Sequence, residues 1–159
     1  WRFWRSLLWH SIIGLSKMVQ LKIRIFKEDD SQDVIKLWEE CKLVVPWNNP
    51  QSDINRKIKD SPDLFFVGEL DECIIASCMA GFDGHRGWIY YLAVHPDYRR
   101  KSYARVIMSF AEKSLQKIGC PKIDLMIRNT NSDVIDFYKQ IGYKADPVVV
   151  MSKRLIEDE

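Results

Sequence analysis

Apolar and polar positions alternate over residues 21–26 (LKIRIF), the period of a strand with one buried face. Asp29 and Asp30 then offer caps for a helix. Val34, Leu37, Trp38 and Cys41 follow at i, i+3, i+4 and i+7, one face of that helix. The segment VVPWNNP (44–50) breaks it, and Ser52 or Asp53 starts a second short helix. Residues 64–70 and 74–82 are rich in strand formers and are separated by the turn signal Asp71-Glu72. The turn 83–87 (DGHRG) leads into a third strand of the same meander, 88–94, which His95-Pro96 ends. A long helix comes next, with Val106, Ile107, Phe110, Ala111, Leu115 and Ile118 as its apolar stripe and Gly119 as its stop. Residues 122–127 read as another strand. Asn131 or Ser132 caps a last helix, on which Val134, Phe137, Tyr138 and Ile141 share a face. Residues 143–153 supply one or two closing strands, interrupted by Pro147. The order predicts an α/β fold: a mixed six- to seven-stranded sheet with flanking helices and a crossover helix between the fourth and fifth strands.

The chain has 159 residues, the size of one domain. We assign that domain to residues 18–159 and read residues 1–17, which precede the first strand pattern, as a non-core N-terminal extension. Its aromatics and cations fit a basic amphipathic segment, but its apolar run is far short of the roughly 20 residues a membrane span needs. No membrane association is expected of the core domain. With 24 Lys and Arg against 22 Asp and Glu, the net charge is +2. That balance argues against a nucleic-acid binder. Cys41, Cys73, Cys78 and Cys120 form no CxxC pair, and no histidine stands near them at zinc spacing, so no metal is expected. Dispersed cysteines suggest reduced, mostly buried thiols in a cytoplasmic protein.

The chemistry concentrates where the strand 88–94 runs through a short basic loop into the long helix. The first turn of a helix exposes unpaired N–H groups and the positive end of its dipole, which suits phosphate. Arg99, Arg100, Lys101 and Arg105 add charge, and the small residues Ser102 and Ala104 let a ligand approach the backbone. A second constellation is Asn131, Tyr138 and Gly142-Tyr143. A phenol such as Tyr138 can donate its proton to a departing thiolate.

Arg99-x-x-Ser102-x-Ala104 after a strand, with Asn131, Tyr138 and Gly142-Tyr143 downstream, resembles the GNAT superfamily of N-acetyltransferases. PWNNP with Asp53 and Arg56-Lys57, GFDGHRG (81–87), YYLAVHPDYRRK (90–101), GCPKI (119–123) and KRLIEDE (153–159) resemble its bacterial YpeA-like branch. The resemblance implies acetyl-CoA as co-substrate and an amine acceptor: a protein N-terminus, a lysine or a small amine. Leu92, Ala93 and Val94 would bind the pantetheine arm as an added strand. The loop from Arg99 through Arg100, Lys101, Ser102 and Tyr103 to Ala104 would hold the pyrophosphate. Asn131 would contact CoA, and Tyr138 would protonate its thiolate. Trp47, Asp83 and His85 would flank the acceptor, and the chain could form a homodimer. Ser102 departs from the usual glycine and disfavours a positive φ. No acidic residue lies on 88–94 as a general base, which leaves Asp83, His85, or Tyr90 and Tyr91 through water. The competing expectation is a non-catalytic acyl-CoA-binding module on the same fold.

Overall fold

The computed structural model describes residues 20–158. The extension 1–17 lies outside the described residues. The elements run β1 (Lys22–Ile25), α1 (Ser31–Glu40), α2 (Pro50–Asp60), β2 (Phe65–Leu70), β3 (Cys73–Phe82), β4 (Gly87–Val94), α3 (Tyr103–Lys117), β5 (Ile123–Leu125) and α4 (Ser132–Gln140). The strands form one mixed sheet in the order β1-β2-β3-β4-β5. Pairing is antiparallel from β1 to β4, and α3 is the crossover that sets β5 parallel to β4.

Strand periodicity builds a separate core on each face. Phe65 and Val67 pack with Val34, Leu37 and Trp38 of α1 and Ile54 of α2. Phe66, between them in β2, points the other way to Ile107, Met108, Ala111 and Leu115 of α3. The α3 stripe is thus narrower than its sequence suggests. Val106, Phe110 and Ile118 are 42%, 39% and 50% exposed, because the positions 107, 108, 111 and 115 face the sheet most directly and Phe110 reaches it only at its flank, edge-on to Phe66 at 5.1 Å. The second helix starts earlier than Ser52. Asn49 accepts the Ser52 N–H at 3.1 Å and Pro50 takes the first helical position, where its missing N–H costs nothing.

The sheet has five strands among the described residues, not six or seven. No strand forms over residues 143–153. Pro147 removes a ladder donor, and Val148, Val149 and Val150 are 72%, 88% and 63% exposed. No apolar face is buried there to set a register. The cysteines are also more open than expected: all four are free thiols, but only Cys78 is buried, and Cys73 is exposed at the start of β3. Complete burial pushes the Cys78 thiol up to about 12.

Asp30 precedes α1 without capping it through its side chain. Its carboxylate accepts from Arg24 at 2.6 and 2.9 Å and from the Lys27 N–H at 2.7 Å. Arg24 also bonds Glu69 at 2.7 Å, which ties β1 to β2. Burial alone would raise the Asp30 carboxyl, but the Arg24 and Lys27 bonds outweigh it and hold it below the ordinary range. The Arg24 bond likewise lowers Glu69. A depressed carboxyl contributes stability that is present above its unfolded pKa and lost as pH falls through the folded one. The melting temperature should therefore fall as the solution is acidified through and below the ordinary carboxylate range. An Asp30→Asn variant should melt lower at neutral pH and lose less on acidification, as calorimetry at stepped pH would record.

Candidate active site

The centre of β4 carries an irregularity that shapes everything around it. Met79 pairs with Tyr90 and Ser77 with Ala93, so Tyr91 and Leu92 together oppose the single residue Cys78. Tyr91 takes a φ of +49°, a left-handed conformation that costs a non-glycine residue roughly 1–2 kcal/mol. Its surroundings hold it there. The Trp38 ring stacks on it at 3.8 Å. Its carbonyl accepts from Ser77 Oγ at 2.9 Å, and that oxygen in turn accepts from Trp38 Nε1 at 2.8 Å. Its hydroxyl donates to Asp53 Oδ2 at 2.6 Å and accepts from Asn48 Nδ2 at 2.9 Å. Asn48 also bonds Asp53.

The bulge splays β4 from its neighbour. β5 pairs with Gly87, Trp88 and Ile89 only, so Ala93 and Val94 pair with β3 on one side while Leu92, Ala93 and Val94 leave their other edge open among the described residues. The Val94 carbonyl is already engaged, by Arg99 Nε at 3.2 Å and Cys41 Sγ at 3.3 Å. Arg99 therefore braces the loop against the strand end. His95 braces it too. Its Nδ1 accepts the Asp97 N–H at 3.2 Å, and its Nε2 meets Glu40 of α1 at 2.7 Å.

The loop then turns sharply into α3, with Arg100 at φ +60° and Ser102 at φ +64°. Serine thus adopts the conformation that its side chain disfavours. Its hydroxyl makes no cap bond, so among the described residues no side-chain hydrogen bond caps the first-turn N–H groups of α3. Lys101 lies 5.6 Å from the centre of the Tyr98 ring, and Arg100, Lys101 and Ser102 are exposed. Tyr103, Ala104 and Leu92 pack against the same core as Tyr138, which joins the open strand edge, the helix start and α4. Tyr138 is 6% exposed, flanked edge-on by Phe137 and Tyr143 at 5.1 and 5.3 Å. Its hydroxyl bonds no described residue. Burial raises its pKa well above the ordinary phenol value. The group is protonated throughout the neutral range.

The remaining predicted residues separate. Asn131 caps α4 through the Val134 N–H at 3.4 Å. Asp83 organises its own turn, accepting from the His85 and Arg86 N–H groups at 2.8 and 2.7 Å and from Trp88 Nε1 at 3.2 Å. The Arg86, His85 and Trp88 bonds bring its carboxyl down to about 2. Such a group is a poor proton acceptor. His85 is exposed in that turn. Trp47, 56% exposed, lies under Arg128 at 6.0 Å. No hydrogen bond, ion pair or ring contact joins Trp47 to Asp83 or His85. Tyr90 and Tyr91 are both raised, by burial first, which makes neither a base at neutral pH. Sequence reasoning passed over the Asn48–Asp53–Tyr91 cluster. Only the fold carries α2 to the bulge, although Asn48 and Asp53 stand close together in the chain.

Among the described residues, then, a mixed sheet carries a bulged, open-edged fourth strand that leads into a helix start without a side-chain cap. The sequence matches the acetyltransferase (GNAT) family over residues 28–143. An acetyltransferase of Yersinia pestis is 47% identical over 139 residues, covering 87% of this chain and 99% of that protein. One of Sodalis glossinidius is 49% identical over 140 residues, with the same coverage. The chain belongs to the GNAT family of acetyltransferases. Among solved structures, an aminoglycoside N-acetyltransferase in complex with CoA superposes with a TM-score of 0.69 at 14% identity, over 85% of this chain and 95% of that one. The ribosomal-protein-S18-alanine N-acetyltransferase of Escherichia coli gives 0.64 at 18%, over 77% of each. These two likenesses show the fold.

Proposed function

We propose that the protein transfers the acetyl group of acetyl-CoA to a primary amine by direct attack in a ternary complex. The observation that carries this reading is the junction of an open β4 edge with an uncapped α3 start. Leu92 and Ala93 offer backbone groups to the amides of a pantetheine arm, as an added strand would use them. The N–H groups at the head of α3, with Arg100 and Lys101 beside them, suit the pyrophosphate. The reacting amine is lined up with the thioester carbonyl, which supplies most of the advantage over free solution. A C–N bond forms as the C–S bond breaks, the nitrogen gives up its proton to solvent, and Tyr138 donates one to the sulfur. No described helix is long and apolar enough to cross a membrane.

Calorimetric titration tests the donor half, with desulfo-CoA and ATP as controls. Saturable binding selective for acetyl-CoA is expected, followed by release of free CoA thiol when amines are added. A folded sample that binds no acetyl-CoA would leave an interaction module on this scaffold. A Ser102→Gly variant should be both more stable and tighter-binding. Relief of the left-handed serine, less the entropy of a new glycine, leaves about 0.5–1 kcal/mol. That corresponds to a melting temperature higher by about 2 °C; the relief is the same with and without ligand, so the tighter binding comes instead from the closer approach to the backbone that loss of the hydroxymethyl group allows.

A further inference from the structure

Behind the Asn48–Asp53–Tyr91 cluster the tail of the chain delivers a carboxylate. Asp158 has a side chain only 4% exposed, whereas its partner Arg56 is 54% exposed. Arg56 grips it as a fork, Nη1 to Oδ1 at 3.0 Å and Nη2 to Oδ1 and Oδ2 at 2.8 and 3.1 Å. The Asn49 N–H at the head of α2 donates to Oδ2 at 3.1 Å, and Arg154 stands 4.0 Å away. An open cleft of about 390 Å³ adjoins the pair, walled by Arg56, Asp158 and the tail residues 152–156. The same Arg56 Nη2 donates to Asp53 Oδ1 at 3.0 Å. Asp53 Oδ2 holds the hydroxyl of Tyr91, the residue at the β4 bulge.

We propose that Arg56 and the Asn49 N–H form a carboxylate-binding site whose resident is the chain's own Asp158, and that a free amino acid enters it by displacing the tail. The inference rests on the acetyltransferase reading and names its acceptor class. Three features support it. The guanidinium fork recognises any carboxylate, whichever molecule carries it. Apart from the polar contacts of Asp158, little apolar packing holds the tail: Leu155 and Ile156 are 85% and 76% exposed, so lifting it uncovers almost no new apolar surface. A tethered carboxylate competes at an effective concentration of about millimolar, which a millimolar ligand can match. The groups are also ordered. Arg56 comes first, Asp53 next, and then Tyr91 at the open strand. A cation followed by an anion, on the way to the acyl donor, is the complement of a carboxylate followed by an ammonium.

Two measurements on the full chain test this. Glutarate is titrated into the wild type and Asp158→Asn while the Asn49 amide is followed by NMR. The expected result is an apparent dissociation constant at least tenfold lower in the variant and no binding in Asp158→Asn combined with Arg56→Met. Equal constants in the first two proteins, or a silent Asn49 amide, would overturn the site. Acetylation of β-alanine is then compared with that of its amide. The KM ratio of amide to acid should exceed one and should rise at least fivefold in Asp158→Asn, and a ratio that does not change rejects the acceptor assignment. If neither amine is acetylated by protein that binds acetyl-CoA, the acceptor assignment fails while the acyl-transfer reading stands or falls on its own titration, and the glutarate titration still decides the site.

Discussion

Replacing Tyr138 by phenylalanine should lower kcat by about a hundredfold, the lower range for loss of a positioned general acid, while acetyl-CoA binds as before. The substitution is clean. It removes one oxygen that bonds no described residue and keeps a ring that Phe137 and Tyr143 pack edge-on. The melting temperature should therefore stay within about 2 °C of the wild type, since no partner is orphaned. The leaving group separates catalysis from packing. A thiol with a reference pKa of about 8.5 leaves far more easily when protonated. An acetyl donor with a more acidic thiol needs less help, so the Tyr138→Phe defect should shrink with it. Stopped-flow release of thiol from both donors measures this, and an equal defect with both would remove Tyr138 from the proton-donor role. The pH profile offers a second check. Burial raises the phenol's pKa, so its proton is retained as pH rises through and above the ordinary tyrosine value. The wild-type rate should show no alkaline decline assignable to this group below that value.

Trp38→Ala should be the most destabilising single change on the α1 face of the sheet, by about 4 kcal/mol. Trp38 is fully buried, and its loss opens a cavity against Phe65 and removes the stack on Tyr91. The indole N–H also anchors Ser77, whose hydroxyl holds the Tyr91 carbonyl. Trp38→Phe isolates that second effect. It keeps most of the volume and a ring for stacking but leaves Ser77 without its donor, at a cost of about 1–2 kcal/mol. Both variants release support from a residue in a left-handed conformation, so Tyr91 should relax and the β4 edge should lose its splay. Urea unfolding measures the stabilities. The functional consequence is weaker acetyl-CoA binding in Trp38→Phe, read under conditions where that variant is fully folded. Unchanged binding there would mean that the bulge stands without Trp38.

Much of this molecule was legible along the chain. The alternation over 21–26, the i, i+3, i+4 spacing in α1 and the glycines after α3 and α4 are local signals, and each landed on its element. The basic loop was legible for the same reason, since a strand end, a cap and a helix start lie within a dozen residues. Where prediction failed, a partner was needed to decide. The run of valines after Pro147 looks like a strand, but a strand exists only when an edge pairs with it. Val106, Phe110 and Ile118 looked like core, but which side of a helix is buried depends on the angle at which it meets the sheet. The turn at Asp83 was legible too, but not that its carboxylate also accepts from the indole N–H of Trp88 on the following strand.

The sequence by itself determined the order of elements, the family, and the strand–loop–helix junction, because short-range patterning and motif spacing are properties of neighbours in the chain. Tertiary structure alone decided that Tyr91 is forced into a bulge, that Asp53 and Asn48 meet its hydroxyl, and that Arg56 holds a carboxylate from the end of the chain. Residues 38, 53, 77, 91 and 158 are too far apart in sequence to act on one another directly. They meet only because sheet pairing, with the packing of α1 and α2 on one face, brings them within hydrogen-bonding distance.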